Sequence, residues 1–223
     1  MKKPNPDNNA GFSLMELLIA MAVMLILLSV VTTLLARATS VRQRESARTD
    51  ALTASQAALN VLSRELANSG FGISAASDPN TANNGLILAD STDKRIHFRA
   101  NIDNVGPTPN PSGATVLATN VAGEDITYFY DSATKSIVRF DPNGSPQTSV
   151  VVNKISDVTF SYYDYSGSTS STTGSTTPTA NTGRVRITVT VQLDPLAGQP
   201  NPLAVTFTSD VTLRNAQYML NQY

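Results

Sequence analysis

The sequence has no cysteine and no tryptophan, and it has a single histidine, His97, among its 223 residues. Without cysteine the chain has no disulfides, thiolate nucleophiles or cysteine-based zinc sites. With one histidine it also has no mechanism that needs two imidazoles. No GxxxxGK[ST], GxGxxG, GxSxG or HExxH motif occurs in the chain. We therefore predict neither an enzyme nor a cofactor or metal site.

Charge of one sign is also lacking, because the formal net charge is −1. A balance so close to neutral implies no general attraction to nucleic acid or to anionic lipid, and we expect no nucleic-acid site. The charges are nevertheless unevenly distributed. Residues 12–69 carry five arginines against four acids, whereas residues 70–223 carry nine basic and twelve acidic residues. The length fits one ordinary domain with an additional element.

Residues 12–36 form an almost wholly apolar run without proline or glycine. At about 1.5 Å per residue, a helix of this length reaches about 37 Å, which exceeds the roughly 30 Å of a bilayer core. A soluble helix would show one polar face, but this run shows none. The pattern predicts a membrane-spanning helix over 12–36.

Glu16 is the one charged residue within the run. An acid costs about 2.5–3.5 kcal/mol at the centre of a bilayer and less near the interface, so its presence favours a functional role. The sequence offers no cation at helical spacing from Glu16. We therefore expect its partner to come from another molecule.

The hexapeptide Gly11-Phe12-Ser13-Leu14-Met15-Glu16 resembles the class III signal of type IV prepilins and type II secretion pseudopilins. The resemblance implies a leader at 1–11 that prepilin peptidase removes after Gly11, with Phe12 as the new, N-methylated terminus. It also implies that Glu16 pairs with the Phe12 ammonium of a neighbouring subunit, which would offset two costly burials. The implied partners are prepilin peptidase, other pilins or pseudopilins, the inner-membrane assembly platform and, before assembly, the lipid bilayer.

Two other interpretations of the N-terminus remain open. The run could be a plain signal anchor with Glu16 near the interface, or a secretory signal peptide cut at Ala36-Arg37-Ala38. The apolar run exceeds the usual 7–15 residues of a signal peptide, which disfavours the second. The arginines after the run would by themselves put the C-terminal side in the cytoplasm. The prepilin resemblance implies the opposite orientation, with the rest of the chain outside the cytoplasm.

The helix is predicted to continue through residues 37–69, which contain no proline or glycine. After a polar, arginine-rich stretch to Asp50, one face becomes apolar at helical spacing, and Gly70 is expected to end the helix. The apolar face consists of Ala51, Leu52, Ala58, Leu59, Val61, Leu62 and Leu66. The stretch from Leu62 to Phe71 resembles the helix end of PilW-type minor pilins and J-type pseudopilins.

Beyond Gly72 the apolar periodicity changes from 3.6 to 2, which predicts strands at 85–89, 95–100, 126–130, 136–140, 157–165, 184–193 and 203–213. The pair at 126–140 is predicted to be a hairpin. The fold class is therefore α+β, with a long helix whose apolar stripe covers one face of a mainly antiparallel sheet in a domain at 70–223. Residues 101–112 are expected to be a loop, and the Ser/Thr-rich residues 166–182 a flexible exposed loop that serves as a spacer or carries glycans.

Three further sets of residues can be considered for a binding role: the histidine, three aspartates and five tyrosines. His97 is predicted to be a surface or edge residue of a strand. Asp131, Asp141 and Asp157 lie near turns and could bind calcium, but their spacing lacks the EF-hand pattern. Five tyrosines could form an adhesive face or simply belong to an ordinary sheet: Tyr128, Tyr130, Tyr162, Tyr163 and Tyr165.

Two departures from major pilins favour a minor subunit in the initiating or tip position. The apolar run has no proline near Thr33, and the chain has no cysteine pair to close a C-terminal loop. The alternative within the class is a J-type pseudopilin of a type II secretion system. The alternative of another class is a signal-anchored β-domain that binds a ligand.

Overall fold

The computed structural model describes residues 12–73, 80–106, 108–109, 115–193 and 203–216. Its first element is one uninterrupted helix, α1, Leu14–Ala67. The ten strands that follow are β1 Arg95–Arg99, β2 Thr108–Pro109, β3 Thr115–Val116, β4 Asp125–Asp131, β5 Ser136–Phe140, β6 Thr148–Val152, β7 Asp157–Ser166, β8 Thr169–Ser170, β9 Thr182–Leu193 and β10 Leu203–Thr212. This arrangement confirms the predicted α+β fold class.

The strands form two four-stranded antiparallel sheets and a small two-stranded one. The first sheet has the order β1-β4-β5-β6, the second has the order β10-β9-β7-β8, and β2 pairs with β3. The predicted hairpin is confirmed, because β4 pairs with β5 in a register that places Phe129 opposite Val138. The predicted antiparallel β-domain under the helix is confirmed, and its strands are divided between two main sheets in the described residues. Alternation in a strand shows which side chains share a face, but not which sheet the strand joins.

One hydrophobic core lies between α1 and the two sheets. The helix contributes Ala58, Leu59, Leu62 and Leu66 and packs against β6, β9 and β10. The predicted apolar face does point toward the β-domain, but it includes residues that are not buried there. Leu52 and Val61 are 37% and 42% exposed, and Ser55 lies buried on the face that contacts the domain.

The end of α1 is fixed to the β-domain by close backbone contacts. The amide of Gly70 donates to the carbonyl of Arg99 at 2.9 Å, and the Ser69 hydroxyl donates to the carbonyl of Asn84 at 2.7 Å. Gly70 has a φ of +80°, as expected for a glycine that follows a helix, although the helix ends three residues earlier, at Ala67. A Cβ at Gly85 would lie 1.9 Å from the Gly70 nitrogen, so glycine is required there.

This close approach explains why the predicted strand at 85–89 is wrong. Gly85 has a φ of +83°, and only Leu86 forms a bridge, with Phe98. The chain then turns into a short 3-10 helix, Leu88–Asp90. The other predicted strands are present, and the sequence reasoning missed β6 and the three two-residue strands.

The two irregular segments have different outcomes. The predicted loop at 101–112 is described only in part, because residues 107 and 110–112 lie outside the described ranges. Most of 166–182 lies at the surface, but hydrogen bonds attach it to the sheet. Ser175 pairs with Tyr162, and Asp164 accepts from the hydroxyls of Thr179 and Thr182. The flexibility of this segment remains a prediction.

Candidate functional site: the N-terminal helix

The start of α1 is closed by a capping box formed by Ser13 and Glu16. Ser13 is the N-cap residue, and its side-chain oxygen accepts a hydrogen bond from the amide of Met15 at 3.3 Å. The Ser13 amide in turn donates to Glu16 Oε2 at 3.1 Å. Each side chain therefore satisfies a backbone N–H that the first turn of a helix leaves without a partner.

The cap gives the Glu16 carboxylate a hydrogen-bond partner close to it in the sequence. Among the described residues no cation pairs with Glu16, but the acid has an internal partner, the Ser13 amide. The carboxylate also lies in the first turn, where the helix dipole favours negative charge. The sequence analysis missed this partner, although the pattern Ser13-x-x-Glu16 is the known signature of a capping box.

The N-terminal half of α1 makes no contact that buries it. All large apolar side chains from Phe12 to Leu35 are at least 50% exposed, and Phe12 itself is 89% exposed. The helix is long and apolar enough to cross a membrane by length and composition. Exposed apolar surface of this extent is typical of a helix that contacts a bilayer or another protein.

The few hydroxyl groups in the apolar half need no water. Ser29 donates to the carbonyl of Ile26 at 2.7 Å, Thr32 to that of Leu28 at 2.9 Å, and Thr33 to that of Ser29 at 2.7 Å. Because each hydroxyl donates to a carbonyl within the helix, the free-energy cost of placing these residues in lipid is reduced. Thr33 lies in a regular helix, without the kink that a proline would introduce.

At the other end of α1, a polar network joins the helix to the first sheet. The Tyr128 hydroxyl donates to Glu65 Oε2 at 2.6 Å, and Arg139 Nε donates to the same oxygen at 3.0 Å. Burial, together with the negative charge of Glu65, raises the pKa of Tyr128 far above its ordinary value. Tyr128 therefore remains a neutral donor, and the network sets the position of the helix end on β4 and β5.

His97 lies in a second polar cluster, between two aspartates. Its Nδ1 is 2.8 Å from Asp90 and its Nε2 is 2.6 Å from Asp125, while Arg99 Nε donates to the other oxygen of Asp125 at 2.9 Å. His97 lies on β1, the last named strand of the first sheet, but the outer side of β1 is covered, because the Ile87 amide donates to the His97 carbonyl at 2.9 Å. The His97 side chain is only 16% exposed, so it is not the surface residue that the alternation predicts. No pattern in the sequence indicates that either aspartate contacts His97.

The three aspartates considered for calcium each serve local structure. Asp131 accepts from the Thr134 hydroxyl in the hairpin turn, Asp141 accepts from the amide of Gly123, and Asp157 pairs with Lys94 at 2.6 Å. Within the described part of the chain, no group of three or more histidine, aspartate or glutamate side chains could hold a metal ion. The tyrosines are mainly structural, since Tyr128 and Tyr162 are buried and Tyr163 packs under Arg184 at 4.1 Å.

Two of the three predicted site residues lie within the described residues, and the third, Gly11, does not. Phe12 comes immediately before the N-cap residue of α1, and Glu16 lies in the first turn of the helix. Gly11 and the rest of the predicted leader lie outside the described residues. The cleavage and the pairing between subunits remain predictions.

Comparison with known proteins gives a match at the N-terminus. Residues 6–32 match the family model described as the prokaryotic N-terminal methylation motif. No curated protein and no solved structure matches the chain. The matched residues include Gly11, Phe12 and Glu16 and most of the apolar run, which supports the resemblance to type IV pilin-like subunits.

Proposed function

We propose that the chain is a structural minor pilin-like subunit that prepilin peptidase processes and that assembles into a type IV pilus, where it initiates or primes the filament or occupies its tip. The observation that carries the proposal is the methylation-motif match at residues 6–32, which coincides with an unburied apolar helix headed by Glu16. The absence of a proline kink and of cysteine favours a minor rather than a major subunit. This role is structural and requires no catalytic group.

The proposed subunit first resides in the inner membrane as a single-pass protein with residues 70–223 outside the cytoplasm. Residues 12–36 span the bilayer and later enter the filament core. In the membrane, the Ser13 amide and the helix dipole stabilise the Glu16 carboxylate. This internal partner explains how the acid is held before another subunit arrives.

Cleavage after Gly11 would create an ammonium at Phe12, one residue from the Ser13 amide that already contacts Glu16. Burial of this new charge and of Glu16 in a filament is costly unless the two are paired. A charge-assisted bond between Glu16 and the Phe12 ammonium of a neighbour would satisfy both. Assembly then exchanges the neutral amide partner of Glu16 for a charged one.

The cleavage is tested by replacing Gly11 with serine in cells that contain prepilin peptidase. We expect the wild-type mature chain to begin at a methylated Phe12, and Gly11→Ser to leave the chain at its precursor mass. Gly106→Ser is a matched control, because a Cβ at Gly106 would meet no atom within 4 Å. A wild-type chain that keeps Met1 would indicate a signal anchor, and one that begins near Thr39 would indicate a secreted binding protein.

The pairing is tested with Glu16→Val, which removes the carboxylate from the apolar run. We expect normal membrane insertion, measured by extraction and fractionation, but strongly impaired filament assembly. Glu45→Val, which removes an exposed acid further along α1, is the control. Normal filaments from the Glu16 variant would refute the pairing. Loss of protein secretion rather than of pili would point to a J-type pseudopilin.

A further inference from the structure

Residues 37–50, which we call the neck, connect the apolar half of α1 to the half that packs on the β-domain. The neck contains four arginines, one glutamate and one aspartate, a local excess of positive charge that the chain's net charge of −1 conceals. We propose that the neck binds the phosphate groups of anionic phospholipids while the subunit is still in the membrane. This inference rests on the proposed function, because it requires that residues 12–36 span a bilayer.

The position of the arginines along α1 places them at headgroup height. Because α1 is continuous, Arg37 lies about 1.5 Å beyond Ala36 along the axis, and Arg42 lies about 9 Å beyond it. The headgroup layer on each side of a bilayer is about 5–7 Å thick. Arg37 therefore lies within this layer, and the long side chain of Arg42 can reach it. Arg48 lies about 18 Å beyond Ala36, close enough for attraction at low ionic strength.

The side chains needed for this contact are accessible. Arg37, Arg42 and Arg48 are exposed, and none of them makes an ion pair within the described ranges. Arg44 is half-buried and has an interaction of its own, so it is not counted among the accessible charges. Three accessible positive charges in twelve residues are thus left without an anionic partner inside the described protein.

The distribution of the arginines around the helix favours lipid over a protein partner. At about 100° per residue, Arg42 is rotated about 140° from Arg37, whereas Arg48 is rotated only about 20°. Arg44 is also only about 20° from Arg37, so three of the arginines lie on one side of α1 and Arg42 lies on the other. A neighbouring subunit would meet one side of the helix, but lipid headgroups surround it. All four basic residues are arginines, whose planar guanidinium binds phosphate oxygens in a bidentate manner.

The proposed contact has a consequence for assembly. A subunit that leaves the membrane must release the headgroups bound to its neck, so extraction should become easier as ionic strength rises. The contact also accounts for arginines on the exported side of a span, where basic residues are normally depleted.

The test uses the full chain in vesicles. Because the chain has no cysteine, Val41→Cys, at an exposed position about 7.5 Å beyond Ala36 along α1, gives a single site for a nitroxide spin label close to the headgroup layer. The measured quantity is the accessibility of the label to a water-soluble nickel chelate, in vesicles of phosphatidylcholine with or without phosphatidylglycerol. We expect phosphatidylglycerol to lower the accessibility about two-fold or more, and salt of about 0.5 M to abolish the difference.

Two triple variants separate a local contact from a general charge effect. Replacing Arg37, Arg42 and Arg48 with glutamine should abolish the dependence on phosphatidylglycerol. Replacing Arg64, Lys154 and Arg214 with glutamine removes the same charge from exposed positions away from the neck and should preserve it.

Equal accessibility in both kinds of vesicle, or a lipid effect that survives in the neck variant, would overturn the proposal. Protection that appears only when the protein-to-lipid ratio is raised would overturn it in favour of a protein partner. The vesicle measurement does not involve the leader, so this proposal and the assignment of cleavage after Gly11 can fail separately.

Discussion

Replacing Leu62 with alanine should weaken the attachment of α1 to the β-domain. Leu62 is 0% exposed and belongs to the core between the helix and the two sheets, whereas its neighbour Val61 is 42% exposed. Leucine-to-alanine changes at fully buried sites cost about 2.7–5 kcal/mol, because apolar contacts are lost and a cavity remains. We expect a loss near 3 kcal/mol for Leu62→Ala and a change within about 0.5 kcal/mol for Val61→Ala.

The assay is urea unfolding of the full chain in mild detergent, followed by near-ultraviolet circular dichroism. The chain has seven tyrosines and no tryptophan, and Tyr128 and Tyr162 are fully buried, so their signal reports on the core. With a slope of about 2 kcal/mol per M, a loss of 3 kcal/mol lowers the midpoint by about 1.5 M. Equal midpoints for the two variants would refute the inference that this face of α1 is docked on the domain.

Two further predictions use the same unfolding assay. The Ser55 hydroxyl is buried and has no hydrogen-bond partner among the described residues, so Ser55→Ala should stabilise the chain by about 1–2 kcal/mol; a loss of stability would mean that the hydroxyl has a role in packing. Burial raises the pKa of Asp125, but the hydrogen bonds and charges of His97 and Arg99 outweigh this effect and hold the pKa below the ordinary value of 3.8. The stabilisation from Asp125 should therefore be present above that value and be lost as pH falls through the lower, folded-state pKa. Asp125→Asn should make the unfolding midpoint less dependent on pH below about 4, and an unchanged dependence would contradict the role of Asp125.

The helix and most strands could be predicted because their signals are local. The absence of proline and glycine from 12–69 and the alternation in β1 and β9 determine α1 and these strands with little help from the rest of the chain. The strand β6 was missed because Thr148–Val152 shows no alternation, and its position at the edge of the sheet leaves most of it exposed. The wrong strand at 85–89 reflects a requirement that is not local, since Gly85 must let the end of α1 approach.

The candidate site was predictable in part for a similar reason. The motif from Gly11 to Glu16 is contiguous in sequence, and so is the cap that Ser13 and Glu16 form. The network of Glu65, Tyr128 and Arg139 joins residues 63 and 74 positions apart, and no pattern in one sequence indicates such a pair. Long-range polar contacts depend on how the strands are ordered, which the sequence alone did not reveal.

The continuity of α1 from Leu14 to Ala67 has a mechanical consequence. A helix of 54 residues forms a stiff shaft of about 81 Å, and it contains neither proline nor glycine to act as a hinge. Any force that draws the apolar end out of a bilayer therefore acts on the contacts at the opposite end of α1, which are the buried leucines and the hydrogen bonds of Glu65. If the proposed extraction takes place, these contacts between α1 and the β-domain must carry the load.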